Sequence, residues 1–338
     1  MKNKGLITTV IILFLSLIIG FFYEKGDKEQ GTAAPAEKHY TIGLLQFVSH
    51  PALDEITKGV KEGLKERGLV EGENLTLLFQ NGQADQSKLT TMSQQLITQG
   101  SEVLIGIATP AVQALANETK DIPIVLGAVT DPVGAGLIKD MAQPGGNLTG
   151  VSDKAPVLEQ LKIAKTLLPQ AKKMGILFSS GEDNSKYQVA EAEEAAQSLG
   201  FSVEKFSVPS TNDIRQIVQV MASTVDFIYI PLDNTIANAM PSVVSEANKT
   251  KTPIIPSVDT MVQEGGLATV GINQFQIGYQ TGLMAASFVK GEKETATTPV
   301  YTFKEGDLMI NEDQAAFLNI EIPADLKAKA TLIGGEDK

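Results

Sequence analysis

The chain has 338 residues, 43% of them apolar, with 30 Gly and 15 Pro, which is enough for two domains with separate cores. Cysteine is absent and the only histidines are His39 and His50, which excludes disulfides, thiolate chemistry, iron–sulfur clusters and the HExxH type of zinc site. Lys plus Arg number 28 against 40 Asp plus Glu, a formal net charge of −12 with no basic run, so no nucleic-acid partner is expected.

In chain order, Lys2 and Lys4 precede Leu6 to Tyr23, a run without a charge. As a helix this run is roughly 27 Å long, close to the hydrocarbon thickness of a bilayer. The positive flank stays in the cytoplasm and the remainder is exported. Residues 1–23 are expected to be a membrane anchor through residues 6–23; a cleaved secretory signal is the alternative. No small-x-small site follows the run at once, and "TAAPA" (32–36) lies far from its end. Residues 24–39, polar and without period, read as a flexible tether spanning roughly 20 Å. The folded part is then held at the extracellular face of the cytoplasmic membrane, or secreted if the segment is cut.

From Tyr40 a module repeats: short apolar run, turn, helix. Strands are predicted at 40–47, 74–80, 102–108 and 122–129, with helices at 51–67, at 85–99 and after Pro110. The pattern pauses at "QPGGNLTGVSD" (143–153), rich in turn formers. It restarts with a helix at 154–168, a strand at 173–179 and a helix at 184–199. Strands at 201–208, 225–232, 253–257 and 268–273 then alternate with helices at 211–223, 238–249 and 258–265. A long helix is predicted over 275–290, and 298–320 is too irregular to assign beyond one further crossing. Continuous apolar strands alternating with helices indicate parallel sheets covered on both faces. The expected fold is therefore α/β, two doubly wound parallel-sheet lobes joined by a multi-strand hinge. Lobe one takes residues 40–152 plus about 273–297; lobe two takes 153–272 plus about 298–325.

Open α/β sheets bind ligands outside the carboxyl ends of their strands. That rule selects Gln46, Phe47 and Ser49 after the first strand, Thr109 and Pro110 after the third, and Val129 and Thr130 after the fourth. In the second half it selects Ser180, Asn184, Ser185, Asp233, Asn234 and Asp259; the hinge adds Asp153 and Asn273. A hydroxyl at a helix start, as at Thr109, suits a carboxylate. Asp259 or Asp233 would take an ammonium through a charge-assisted hydrogen bond. Phe47 would wall an apolar or aromatic ligand by stacking. Each of these residues also fits a purely local role as helix cap, turn former or core, and His50 fits a cap or loop lining better than acid–base work. There is no Walker A loop, no complete dinucleotide fingerprint ("GAG" at 134–136 lacks the third glycine) and no G-x-S-x-G elbow. No enzyme activity, cofactor or metal is expected, and a monomer is.

The segments "IGLLQFVSHPALDEITKGVKEGL", "IATPAVQALA", "VLGAVTDPVGAGLI", "GGNLTGVSD", "PLDNTIAN" and "VGINQFQIGYQTG" span about residues 40–290. In these the chain resembles the extracytoplasmic substrate-binding proteins of ABC transporters, with the periplasmic-binding-protein-like class I fold. More narrowly it is similar to the subfamily containing the tryptophan-binding component of Gram-positive importers. The resemblance implies capture of an aromatic amino acid, tryptophan favoured, in the interlobe cleft and delivery to an ABC permease served by a separate ATPase subunit. It also implies that Thr109 and the 128–130 turn grip the α-carboxylate and that Asp259 takes the α-ammonium. The lipobox cysteine of many relatives is absent, and the apolar segment stands in its place. A branched-chain amino acid, a nucleoside or another small ring compound would suit the same fold, as would a non-transport sensor.

Overall fold

The computed structural model describes residues 3–26 and 38–335. The chain divides into two compact units, the first ending at Lys38 and the second beginning at His39. The first contains helix α1 (Lys4–Gly26), on which Val10 to Leu15 and Phe21 are exposed. Among the described residues no helix is long and apolar enough to cross a membrane. Most of the expected tether, residues 27–37, lies outside the described residues.

The second unit begins with β1 (Tyr40–Gln46), α2 (Pro51–Glu66), β2 (Leu75–Asn81), α3 (Gln86–Thr98), β3 (Val103–Ile107), α4 (Thr109–Glu118), β4 (Ile124–Gly127) and β5 (Leu148–Ser152). The β1, β3, β4 and β5 strands are apolar runs buried on both faces, as parallel strands between helical layers must be. β5 corrects the sequence reading: a buried strand occupies "LTGVS", inside the stretch expected only as a pause. Gly150 made it look like a turn. Its φ of +158° is extended backbone, and a Cβ there would collide with the Leu126 backbone of β4.

The chain then builds α5 (Val157–Leu167), β6 (Lys173–Ser179), α6 (Asp183–Ser198), β7 (Ser202–Val208), α7 (Ile214–Ala222), β8 (Phe227–Ile230), α8 (Asn234–Ala237), α9 (Met240–Lys249), β9 (Ile254–Pro256), α10 (Asp259–Gln263) and β10 (Ala268–Gly271). It returns through α11 (Gln274–Val289) and β11 (Tyr301–Thr302), then ends with β12 (Asp307–Asn311), α12 (Glu312–Leu318), α13 (Ala324–Lys327) and β13 (Thr331–Ile333). The irregular 298–320 stretch thus holds two strands and a helix.

Three sheets result. The first is all parallel, in the order β11-β5-β4-β3-β1-β2. The second, also parallel, runs β7-β6-β8-β9. The third, β10-β12-β13, is mixed, because β10 and β12 pair antiparallel. It joins the second lobe where the Leu267 N–H donates to the Ile254 carbonyl at 2.7 Å. The second lobe therefore departs from the expected purely parallel arrangement. β12 comes to lie beside β10 only after the chain has returned through α11 and β11.

Two features position the site. β1 sits between β2 and β3, so the chain turns one way after β1 and the other way after β3. β6 likewise sits between β7 and β8. These are topological switch points, where the loops at the strand ends diverge and leave a crevice. In addition, α2 and α11 pack backbone to backbone through Gly59, Gly63, Gly278 and Gly282, which fixes the start of both helices against the first sheet.

Candidate ligand site between the two switch points

The loops from both switch points face each other across one narrow cavity. The loop after β1 brings His50 with Ala52 and Leu53, and the loop after β3 brings Ala108 and Thr109. Ala128, Thr130 and Asp153 come from the ends of β4 and β5. The second lobe contributes Asn184 from the β6 loop and Leu232, Asp233, Asn234 and Ala237 from the β8 loop, while Val258 and Gln274 complete the wall. Apolar walls with a few convergent polar groups suit a small organic molecule.

The two lobes touch here. His50 Nε2 lies 3.2 Å from Asn234 Oδ1. Gln86 donates to the Gly181 carbonyl at 2.8 Å, Gln113 donates to Asp183 at 3.2 Å, and the Tyr187 hydroxyl donates to the Gly134 carbonyl.

Two residues of this wall have strained backbone. Ala108 and Ala128 have φ of +74° and +62°, left-handed conformations that cost a non-glycine residue free energy. Both end a buried strand and line the cavity.

Polar atoms tell what the cavity can hold. Thr109 Oγ1, Asp153 Oδ1, Asn184 Oδ1 and His50 Nδ1 are buried without a hydrogen-bond partner, and all four residues line this cavity. Buried polar groups are normally satisfied, and each unmet one costs about 1–3 kcal/mol. Thr109 opens α4, so a hydroxyl donor and the positive end of a helix dipole sit together. Asp153 is an unmet acceptor that bears a charge. Burial pushes its carboxyl up to about 6, against the opposing pull of the Thr130 hydroxyl. The site therefore pairs a place for an anion with a place for a cation.

A second layer supports these groups. Asp233 caps α8 and accepts from Ile236 N–H at 2.9 Å, from Ser185 Oγ at 2.7 Å and from Ser179 N–H at 2.5 Å. Its pKa is raised, first by burial and then by the nearby Glu182 carboxylate. Asn184 Nδ2 donates to the Leu232 carbonyl at 2.7 Å, which leaves its Oδ1 facing the cavity unmet.

Of the residues selected from sequence, Thr109, Thr130, Asp153, Asn184, Asp233 and Asn234 come together here, with Ser185 one contact behind. The others do not. Phe47 does not line the cavity, because its side chain is buried in the lobe-one core. Gln46 and Ser49 hold Asp54 at 2.7 and 2.8 Å and so shape the loop ahead of α2. Val129 is core, and Ser180 Oγ donates back to the Val208 carbonyl at 3.3 Å. Pro110 faces a separate groove with Gln113 and Lys120. Asp259 and Asn273 line another crevice, with Glu55, Lys58 and Phe275. Asp259 follows β9, an edge strand away from the switch point, so its carboxylate does not share the space that Thr109 faces. Sequence reasoning placed the strand-end loops that carry His50, Ala108 and Ala128 near the site without giving these residues a contact of their own, and it missed Gln274.

The family model described as ABC transporter substrate binding protein matches residues 41–333. A tyrosine-binding protein of Clostridioides difficile (strain R20291) is 34% identical over 324 residues, covering 95% of this chain and 94% of the relative. A crystal structure of an ABC domain in complex with L-Trp from Streptococcus pneumonia is 48% identical with a TM-score of 0.85, covering 87% of this chain and 99% of that one. The ligand-free, open structure of a Clostridium difficile substrate-binding protein with adhesive properties is 35% identical with a TM-score of 0.67, over 87% of this chain and 99% of that one. More distant solute-binding structures, such as a leucine-binding protein from Thermotoga maritima at 14% identity and a TM-score of 0.57, share the fold. The chain thus belongs to the substrate-binding protein family of ABC transporters, with the two-lobed fold of the periplasmic binding proteins.

Proposed function

We propose that this chain captures an aromatic amino acid as its zwitterion, tryptophan before tyrosine, and delivers it to an ABC permease whose ATPase is a separate subunit. The observation that carries this reading is the set of unmet buried polar atoms around one cavity: a hydroxyl donor at a helix start together with acceptors that include a carboxylate. Thr109, with Thr130 beside it, takes the α-carboxylate. Asp153 takes the α-ammonium, the role that the resemblance had implied for Asp259, and Asn184 Oδ1 adds a second acceptor. Ala52, Leu53, Leu232, Ala237 and Val258 surround the ring. The L-Trp complex and the tyrosine-binding relative support this ligand class. The greater likeness to the L-Trp complex than to the open, ligand-free relative fits lobes that are already in contact. The hinge consists of the crossings after β5, between β10 and α11, and between β11 and β12.

Attachment to the outer membrane face, or export, falls to α1, whose exposed side chains from Val10 to Leu15 are apolar. A ligand that binds only the folded state raises stability by RT ln(1 + [L]/Kd), about 2.7 kcal/mol at a hundredfold excess over Kd. A thermal-shift panel of amino acids and nucleosides is therefore expected to show the largest shifts for L-tryptophan and L-tyrosine. A shift with leucine or a nucleoside and none with either aromatic amino acid would overturn the reading.

A further inference from the structure

One cavity atom has a protonation state that can be traced from the hydrogen bonds around it. Glu182 is 1% exposed. Its carboxylate accepts from Asn184 Nδ2 at 3.1 Å, from Asn234 N–H at 3.3 Å and Nδ2 at 2.6 Å, and from Thr235 N–H at 2.8 Å and its hydroxyl at 2.7 Å. An acceptor at 2.6 Å fixes the Asn234 amide with its nitrogen toward Glu182, because the reverse orientation would press two acceptors together. Asn234 Oδ1 is then turned to His50, 3.2 Å from Nε2. An oxygen with no hydrogen of its own requires an N–H, so His50 carries its proton on Nε2. The other ring nitrogen, Nδ1, is left with a bare lone pair. It is buried, without a partner, on a side chain that lines the cavity and is 7% exposed. Burial lowers the His50 pKa, which keeps the imidazole neutral and Nδ1 an acceptor.

The place of this acceptor matters. Pro51 joins His50 to Ala52 and Leu53 of the cavity wall, and Asn234, the partner of His50, lies on the stretch that also supplies Leu232, Asp233 and Ala237. The His50–Asn234 pair thus has apolar wall residues on both of its chain segments. A ligand ammonium is better met by the Asp153 carboxylate than by a neutral imidazole. With the ammonium met by Asp153, His50 Nδ1 is an acceptor left for the ligand's side chain. We propose that His50 Nδ1 accepts a hydrogen bond from the side chain of the bound amino acid, an indole N–H or a phenol O–H, and so selects aromatic amino acids with a polar ring edge over phenylalanine. This rests on the aromatic-amino-acid reading above and adds to it the residue that reads the ring.

The test is titration calorimetry of the full-length protein with L-tryptophan, L-phenylalanine and 3-(benzothiophen-3-yl)-L-alanine, which replaces the indole N–H by sulfur at nearly constant shape. The wild type is expected to prefer tryptophan over the sulfur analogue by about tenfold or more. His50→Ala is expected to weaken tryptophan and leave the analogue nearly unchanged, closing the gap. Equal losses for all three ligands would overturn the proposal, since the lost contact would then be to the shared backbone. Nitrogen-15 NMR of the wild type provides an arm that needs no variant. With two histidines in the chain, the His50 ring is expected as the Nε2–H tautomer, and its Nδ1 resonance is expected to move when L-tryptophan is added. A proton on Nδ1, or no movement with bound tryptophan, would overturn the proposal. Failure of all three ligands to bind the wild type would instead defeat the aromatic-amino-acid reading, and this proposal with it.

Discussion

Asp153→Asn is expected to abolish tight amino-acid binding while making the empty protein more stable at neutral pH. Asp153 Oδ1 is buried and unpaired, on a cavity otherwise walled by neutral groups and by Asp233, whose oxygens are taken by Ser179, Ser185 and Ile236. Removing one side of a buried, hydrogen-bonded charge pair costs about 3 kcal/mol, or roughly a hundredfold in Kd. The stability effect has the opposite sign. The Asp153 pKa is raised in the folded protein to about 6, above its ordinary value of 3.8. Between these values the folded state binds more protons than the unfolded state, so stability falls as pH rises. Above about pH 6 the full cost of the buried charge is present, at most about 3 kcal/mol. Asn carries no such charge. The variant's unfolding midpoint is therefore expected above that of the ligand-free wild type near pH 7.5, and level with it near pH 4. Wild-type affinity in Asp153→Asn, measured by calorimetry, would take Asp153 out of the site. A midpoint difference independent of pH would show that the effect is not the buried charge.

The largest expected loss of stability is at the crossing of α2 and α11. A Cβ at Gly278 would collide with the Ile56 carbonyl, and one at Gly59 with the Phe275 carbonyl. Both obstacles are backbone, so no side chain can swing aside. Gly278→Leu is expected to cost more than about 3 kcal/mol, the upper end for overpacking, because the helices must separate along their whole contact. Chemical denaturation measures this. Gly146→Ala is the control: nothing lies within 4 Å of its Cβ position, and its change is expected within about 0.5 kcal/mol. Wild-type stability in Gly278→Leu would mean that the two helices are not in backbone contact. The crossing also bears on function, since α2 carries the His50 loop at its start and α11 carries Gln274 of the cavity wall.

Much of the architecture was legible from period alone. Strands β1, β3, β6 and β7 and the long helices α2, α6 and α11 fall within two residues of their predicted bounds, because a continuous apolar run or an amphipathic period of that length suits one kind of element far better than another. β5 was hidden by Gly150, which the close approach of Leu126 requires and which reads as a turn former in isolation. β12 was hidden because it owes its pairing to a distant antiparallel β10, and the short β13 because it pairs only with β12, neither of which a local pattern encodes. For the site, the rule that ligands sit beyond strand ends brought in Thr109, Thr130, Asp153, Asn184 and Asp233. It also brought in Asp259 and Ser180, since strand ends look alike until the strand order is known. The order β2-β1-β3 and β7-β6-β8 decides which loops diverge around the crevice. The left-handed Ala108 and Ala128 had no sequence signature at all, alanine being unremarkable at a strand end. Phe47 was misread because an aromatic at the end of a strand serves core and ligand equally well by composition.

The central proposal is that one cleft between the lobes recognises both charged ends of an amino acid at once, the carboxylate by Thr109 and the ammonium by Asp153. Calorimetric titration of the wild type with L-tryptophan, tryptamine and indole-3-propionate tests it most directly. These ligands share the ring; tryptamine lacks the carboxylate and indole-3-propionate lacks the ammonium. L-tryptophan is predicted to bind, and either truncated ligand to lose about a hundredfold or more in affinity. Tryptamine or indole-3-propionate binding as tightly as L-tryptophan would contradict the claim.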